Sequence, residues 1–142
     1  MCVLFAAFGC GAGGENPSTP QDALKAYASA IEKKDAARIK SLLSKGSLKM
    51  AEDEARAQNI SPDEIIQRET LFAENQKTRE IRNEKIEGDR ASIEFKDAFG
   101  RWDTVFFVRE DGAWKIAKER YASEMLKKSE EQMKRLEQEI NQ

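Results

Sequence analysis

The hydrophobic period of this chain changes once, near Thr78, and that change limits the possible fold more than any other feature. Before it, apolar residues recur at helical spacing; after it, apolar and charged residues alternate as they do along a half-buried strand. Helices first and strands afterwards is the pattern of a segregated α+β domain, in which a sheet takes its cover from helices.

The first helix is expected over 20–33. Thr19 stands as N-cap before Pro20, Asp22 lies in the first turn, and Leu24, Tyr27, Ala28 and Ile31 share one face. Asp35 can cap a second helix with Ile39, Leu42 and Leu43 inside, ending close to Gly46 as its C-terminal cap. Leu48, Ala51 and Ala55 indicate a weaker third helix. Ser61-Pro62-Asp63-Glu64 repeats the capping grammar and opens a fourth, carrying Ile65, Ile66 and, further on, Phe72.

Four strands follow, near 79–87, 91–97, 102–109 and 113–119. Ile93 and Phe95 alternate with Glu94 and Lys96, while Thr104 to Val108 is the continuous apolar run of a strand covered on both faces. Gly88-Asp89 suits a type II′ turn and Asp111-Gly112 a type I′ turn, so the strands should form an antiparallel meander. From Tyr121 to Gln142 a last helix is expected, with Leu126, Met133 and Ile140 at seven-residue intervals and Leu136 between the last two. That narrow stripe can lie along the sheet, pair with a second copy as a homodimer, or project.

Composition excludes several functions. With 142 residues the chain suits one domain with short extensions, and its net charge of -2 with both signs interspersed lacks the basic footprint of a nucleic-acid binder. Histidine is absent, which removes the commonest general base and metal ligand. The acidic cluster Glu52-Asp53-Glu54 lacks the alternating oxygen ligands and glycine of a calcium loop. Neither metal nor other cofactor is expected.

The chain starts with an apolar run, Met1 to Gly9, ending at Cys10 and followed by Gly11-Ala12-Gly13-Gly14. Ala7-Phe8-Gly9-Cys10 resembles a bacterial lipobox, with a small residue before the cysteine. The resemblance implies export, cleavage before Cys10, and a lipid on its sulfur, with the outer membrane as the address in a Gram-negative host. Residues 1–9 then read as a partial signal peptide lacking its basic start, and 10–18 as the lipidated cysteine and a flexible tether. The run is too short to span a membrane, so anchoring falls to the acyl chains. Cys2 would leave with the signal, and the body would keep no thiol.

Over 19–120 the order of elements, Ile86-Glu87-Gly88-Asp89-Arg90-Ala91 and above all the hairpin Val108-Arg109-Glu110-Asp111-Gly112-Ala113-Trp114-Lys115-Ile116 resemble the nuclear transport factor 2-like superfamily. Its small exported lipoprotein members carry such a hairpin without an assigned activity. The resemblance implies a cone-like α+β fold, N-terminal helices on a curved four-stranded antiparallel sheet, with 121–142 as an added amphipathic C-terminal helix. It leaves function open, because the fold hosts isomerases, dehydratases, hydrolases and binding modules.

Within that fold Tyr27, Phe72, Phe95, Trp102 and Phe106 are candidates to line a cone pocket for a small apolar ligand, or else to fill the core. Asp97 and Asp103 flank the longest hairpin loop, where an Asp is commonly a turn residue, so no catalytic residue is assigned. Leu126, Met133, Leu136 and Ile140 form a candidate interaction face. The sequence therefore reads as a lipid-anchored, extracytoplasmic binding or interaction module of the bacterial cell envelope, non-catalytic, partnered by an envelope protein or a small apolar ligand. A small cone-pocket enzyme of isomerase or hydrolase type, working through an interior carboxylate, is the alternative.

Overall fold

The computed structural model of the protein describes residues 16–72, 76 and 80–142. Cys10 and the apolar start lie outside them. Helices α1 (Pro20–Glu32), α2 (Ala36–Ser41), α3 (Lys45–Gln58) and α4 (Pro62–Arg68) come first, strands β1 (Ile81–Glu87), β2 (Arg90–Lys96), β3 (Trp102–Glu110) and β4 (Ala113–Ile116) follow, and α5 (Glu119–Ile140) closes the chain. The strands form an antiparallel meander in the order β1-β2-β3-β4. This is the α+β architecture that the nuclear transport factor 2-like resemblance implies.

Local chemistry explains most boundaries. Thr19, Asp35 and Ser61 each accept a hydrogen bond from the backbone N–H three residues on, so α1, α2 and α4 begin where their caps stand. Glu87 pairs with Arg90 across a two-residue turn in which Gly88 takes φ +59°. Asp111 and Gly112 both have positive φ, +52° and +75°, as a type I′ turn requires.

Three expectations need correction. Gly46 does not end α2, which stops at Ser41 with Leu42 as its C-cap; it sits inside the first turn of α3, capped by Ser44, and α3 is closed by Asn59 in the left-handed region. Phe72 lies beyond α4, which ends at Arg68. The last strand stops at Ile116, so Glu119, expected at its end, starts α5.

The sheet has two unlike faces. Register places Ala91, Ile93 and Phe95 of β2 beside Phe107, Val105 and Asp103 of β3, with Trp114 and Ile116 of β4 on the same side. Those apolar side chains are buried against Leu24, Tyr27 and Ile31 of α1, Ala51 and Ala55 of α3, and Ile65 and Ile66 of α4, forming the core. The outer face carries Arg82, Glu94, Lys96, Trp102, Thr104 and Phe106. Both edges are guarded differently. At β4 the Ile116 N–H reaches Leu42 O, the Ser44 N–H reaches Ile116 O, and the Trp114 N–H reaches Pro17 O, so the packed body extends back to Pro17. At β1 a bulge at Asn83 and the charged Arg82, Glu84, Lys85 and Glu87 blunt the open edge.

Candidate functional site

The aromatic candidates separate into three places. Tyr27, Phe72 and Phe95 are buried and touch one another, with ring centroids 6.3 Å and 5.1 Å apart, so these three fill the core and line no open pocket. Trp102 is on the outer face, where the Arg82 guanidinium stacks 3.8 Å above its ring. Phe106 alone borders open space.

Burial pushes the Tyr27 hydroxyl up to about 12, against an opposing hydrogen bond from the Leu71 N–H. A phenol held neutral in the fold contributes stability that is complete below its unfolded pKa near 10, and that is lost as pH rises through the folded value. Between pH 10 and 12 the protein should therefore lose roughly 2–3 kcal/mol, and Tyr27→Phe should flatten that fall. Urea unfolding of both proteins at pH 9, 10, 11 and 12 measures it; parallel losses in the two would exclude Tyr27 as the source.

The space beside Phe106 is an open groove of about 400 Å³. It exists because β4 is shorter than β3: β4 pairs only with Phe107–Glu110, and the Ala117 N–H makes one more bond to Phe106 O before the chain turns into α5. The edge of β3 from Asp103 to Val105 is left facing Met50, Leu71 and the first turn of α5. Asp103 is at its rim, its Oδ1 accepting from the Thr104 N–H at 2.7 Å and the Tyr121 hydroxyl at 3.2 Å. Partial burial and the neighbouring Asp103 carboxylate raise the Tyr121 hydroxyl. Opposite, Lys118 donates to Glu69 O at 2.6 Å, and its burial lowers its ammonium despite Glu69 and Glu54 nearby. Asp97, by contrast, is a loop staple: it accepts from the Arg101 and Phe99 N–H groups and pairs with the Arg101 guanidinium, which holds its carboxyl below the usual range.

α5 is the most unusual element. An amphipathic helix of a globular domain turns its apolar side to its own core; here the charged side faces the sheet. Arg120 donates to Phe107 O and pairs with Glu124 at 3.1 Å, while Glu124 and Lys127 close a polar crevice of about 230 Å³ against Lys85, Glu87 and Arg90. Lys128 lies close enough to add to the downward pull on Glu94, whose chief partner is the Asn83 amide. The other side carries Leu126, Met133, Leu136 and Ile140, which are 62, 60, 51 and 82% exposed. None of the 22 residues of α5 is buried among the described residues.

Sequence reasoning missed a buried polar knot at the root of α5. The Glu119 carboxylate accepts from the Ser44 hydroxyl at 2.8 Å and the Ser47 hydroxyl at 2.7 Å. Ser47 Oγ accepts in turn from the Lys118 N–H, and Ser44 Oγ from the Ser47 N–H. Glu110 adds a second carboxylate at the same helix end, accepting from the Lys45 N–H at 2.9 Å. Two negative charges thus sit at the N-terminus of α3, where the helix dipole favours them. The signal available in the sequence was Ser44 three residues before Ser47, an N-cap pattern that competed with Gly46 read as a stop.

Among the described residues no group of His, Cys, Asp and Glu is placed to hold a metal ion, and no helix is long and apolar enough to cross a membrane. The fold and site together define an α+β domain with an outward-facing amphipathic helix. No family model matches the chain, and no curated protein matches it. Among solved structures, a Campylobacter jejuni protein named "Putative NTF2-like transpeptidase" is similar over 70% of this chain and 98% of its own, at 18% identity and a TM-score of 0.48.

Proposed function

We propose that this protein is a lipid-anchored, extracytoplasmic interaction module of the bacterial envelope that holds another protein through α5. The observation that carries the reading is the orientation of that helix. Burying each of Leu126, Met133, Leu136 and Ile140 would gain about 1.5–3 kcal/mol. Where α5 crosses the sheet, Arg120, Glu124 and Lys127 face the domain, and from Leu126 onward every residue is exposed, so among the described residues nothing covers the stripe. Helices in proteins draw most of their stability from packing an amphipathic face, so a partner that covers the stripe also stabilises the unpacked end of α5. The lipobox resemblance at Cys10 and the glycine-rich stretch behind it support attachment to a membrane with reach. The alternative enzyme reading rests on Asp103, whose carboxylate stands beside Tyr121 at the groove but already accepts two bonds from its own chain.

The test uses the full-length precursor in a bacterium. Mass spectrometry should find Cys10 diacylglycerol-modified in the membrane fraction, and Cys10→Ala should release the protein from it. A photo-crosslinking residue at Ser129 should give one discrete protein adduct in membranes, absent when the probe is at Glu131 on the far side and abolished by Met133→Asp. Equal adducts from both positions, or an unmodified Cys10 in membranes, would count against the reading.

A further inference from the structure

We infer that the partner of α5 is an amphipathic helix of a different protein whose apolar seam is bordered by lysine or arginine, and not a second copy of this chain. The inference rests on the proposal that α5 is the docking element, and it follows from how charge is arranged around the stripe. At 3.6 residues per turn Glu130 and Glu137 border Leu126, Met133 and Ile140 on one side, and Gln132 and Glu139 border them on the other. The cations Lys127, Lys128, Lys134 and Arg135 stand further round the helix: Lys127 and Lys128 lie toward the sheet, and Lys134 lies just outside Glu130 and Glu137 in the shallow depression they share with Leu126 and Met133. The positions that flank the seam directly hold three carboxylates and no cation.

In a two-helix seam the residues at these borders meet those of the partner and set its identity and direction. A second copy would bring Gln132 against Glu137 if parallel and Glu130 against Glu137 if antiparallel. Neither orientation supplies an attractive pair, and the antiparallel one supplies a repulsive pair. Basic borders on the partner would satisfy Glu130, Glu137 and Glu139 together. An anionic lipid surface is disfavoured by the same arrangement, because helices that lie on such surfaces carry their cations beside the apolar side. Here three carboxylates stand nearest the apolar side, and the cations stand outside them.

The experiment titrates the full chain with two designed 21-residue peptides of identical Leu and Ile seam, one bordered by Lys and one by Glu, followed by fluorescence anisotropy. At low salt the Lys-bordered peptide should bind about tenfold more tightly, as expected for three exposed border pairs, and the difference should shrink as sodium chloride rises. The triple variant Glu130→Lys, Glu137→Lys, Glu139→Lys should reverse the preference. Equal affinity for both peptides overturns the charge selectivity while leaving α5 as the docking element. An α5-dependent dimer in sedimentation at the same concentrations overturns it in favour of a second copy, and binding to phosphatidylglycerol vesicles with no binding to either peptide overturns it in favour of lipid. If Leu126→Ser with Met133→Ser leaves peptide binding unchanged, the reading of α5 itself fails.

Discussion

Trp114→Ala is expected to leave the protein at the edge of folding, with a loss of about 3–5 kcal/mol, against a total stability for a domain of this size of about 5–15 kcal/mol. Trp114 is the largest of the fully buried side chains and belongs to the shortest strand. It stands on the inner face beside Ile116, under the Arg109 guanidinium, 4.8 Å from its ring. Its backbone N–H, which the substitution keeps, holds Pro17 O and brings the start of the packed chain against β4. Removing the indole therefore opens a cavity where α1, β4 and the incoming chain converge. Trp114→Phe keeps ring volume in part and should lose less than half as much. Chemical denaturation of the three proteins gives the order; a Trp114→Ala protein within 1 kcal/mol of the parent, on the scale of surface substitutions, would show that β4 is not part of the cooperative core.

The hairpin around Trp114 was legible because a two-residue turn admits few sequences: Asp111-Gly112 fixes the reversal, and the strand period then assigns Trp114 and Ile116 to one face. The starts of α1, α2 and α4 were legible for a similar reason, since each cap acts within three residues of itself. Reading was harder where a residue's role depended on a distant one. Gly46 carries no local mark that distinguishes a helix stop from a close contact, and its partner Glu119 is 73 positions away. The aromatic candidates divided for the same reason: the period of each strand does not relate Phe95 to Phe106, and only the register of β2 with β3 and the packing of α1 and α4 put Phe95 on the filled face and Phe106 on the other. The stripe on α5 could be read directly, whereas the direction in which it points could not. That direction is set by Arg120, Glu124 and Lys127 meeting β1, β2 and β3, contacts between elements more than 25 residues apart for the first two strands.

Gly46→Ala should destabilise the protein by about 2 kcal/mol, although alanine is the better helix former by up to about 1 kcal/mol. A Cβ at Gly46 would lie 2.5 Å from Glu119 Oε1 and 2.6 Å from its Cδ, nearer than atoms can approach. Glu119 is a flexible side chain and could swing aside at little cost if nothing held it. Ser44 and Ser47, both buried, do hold it, and its departure would exchange two charge-assisted hydrogen bonds for the neutral acceptors Ser47 Oγ and Ile116 O. The cost is thus the loss of a polar knot and not strain in α3. Glu119→Ala alone should cost a similar amount, by the same loss. Combining the two separates the causes, because once the carboxylate is gone the new methyl group meets open space and only its helix preference remains. In the Glu119→Ala background Gly46→Ala should accordingly become neutral or stabilising. Urea titration of the four proteins measures the coupling. If Gly46→Ala costs the same with and without Glu119, the residues act independently, and the attachment of α5 to α3 does not run through this contact.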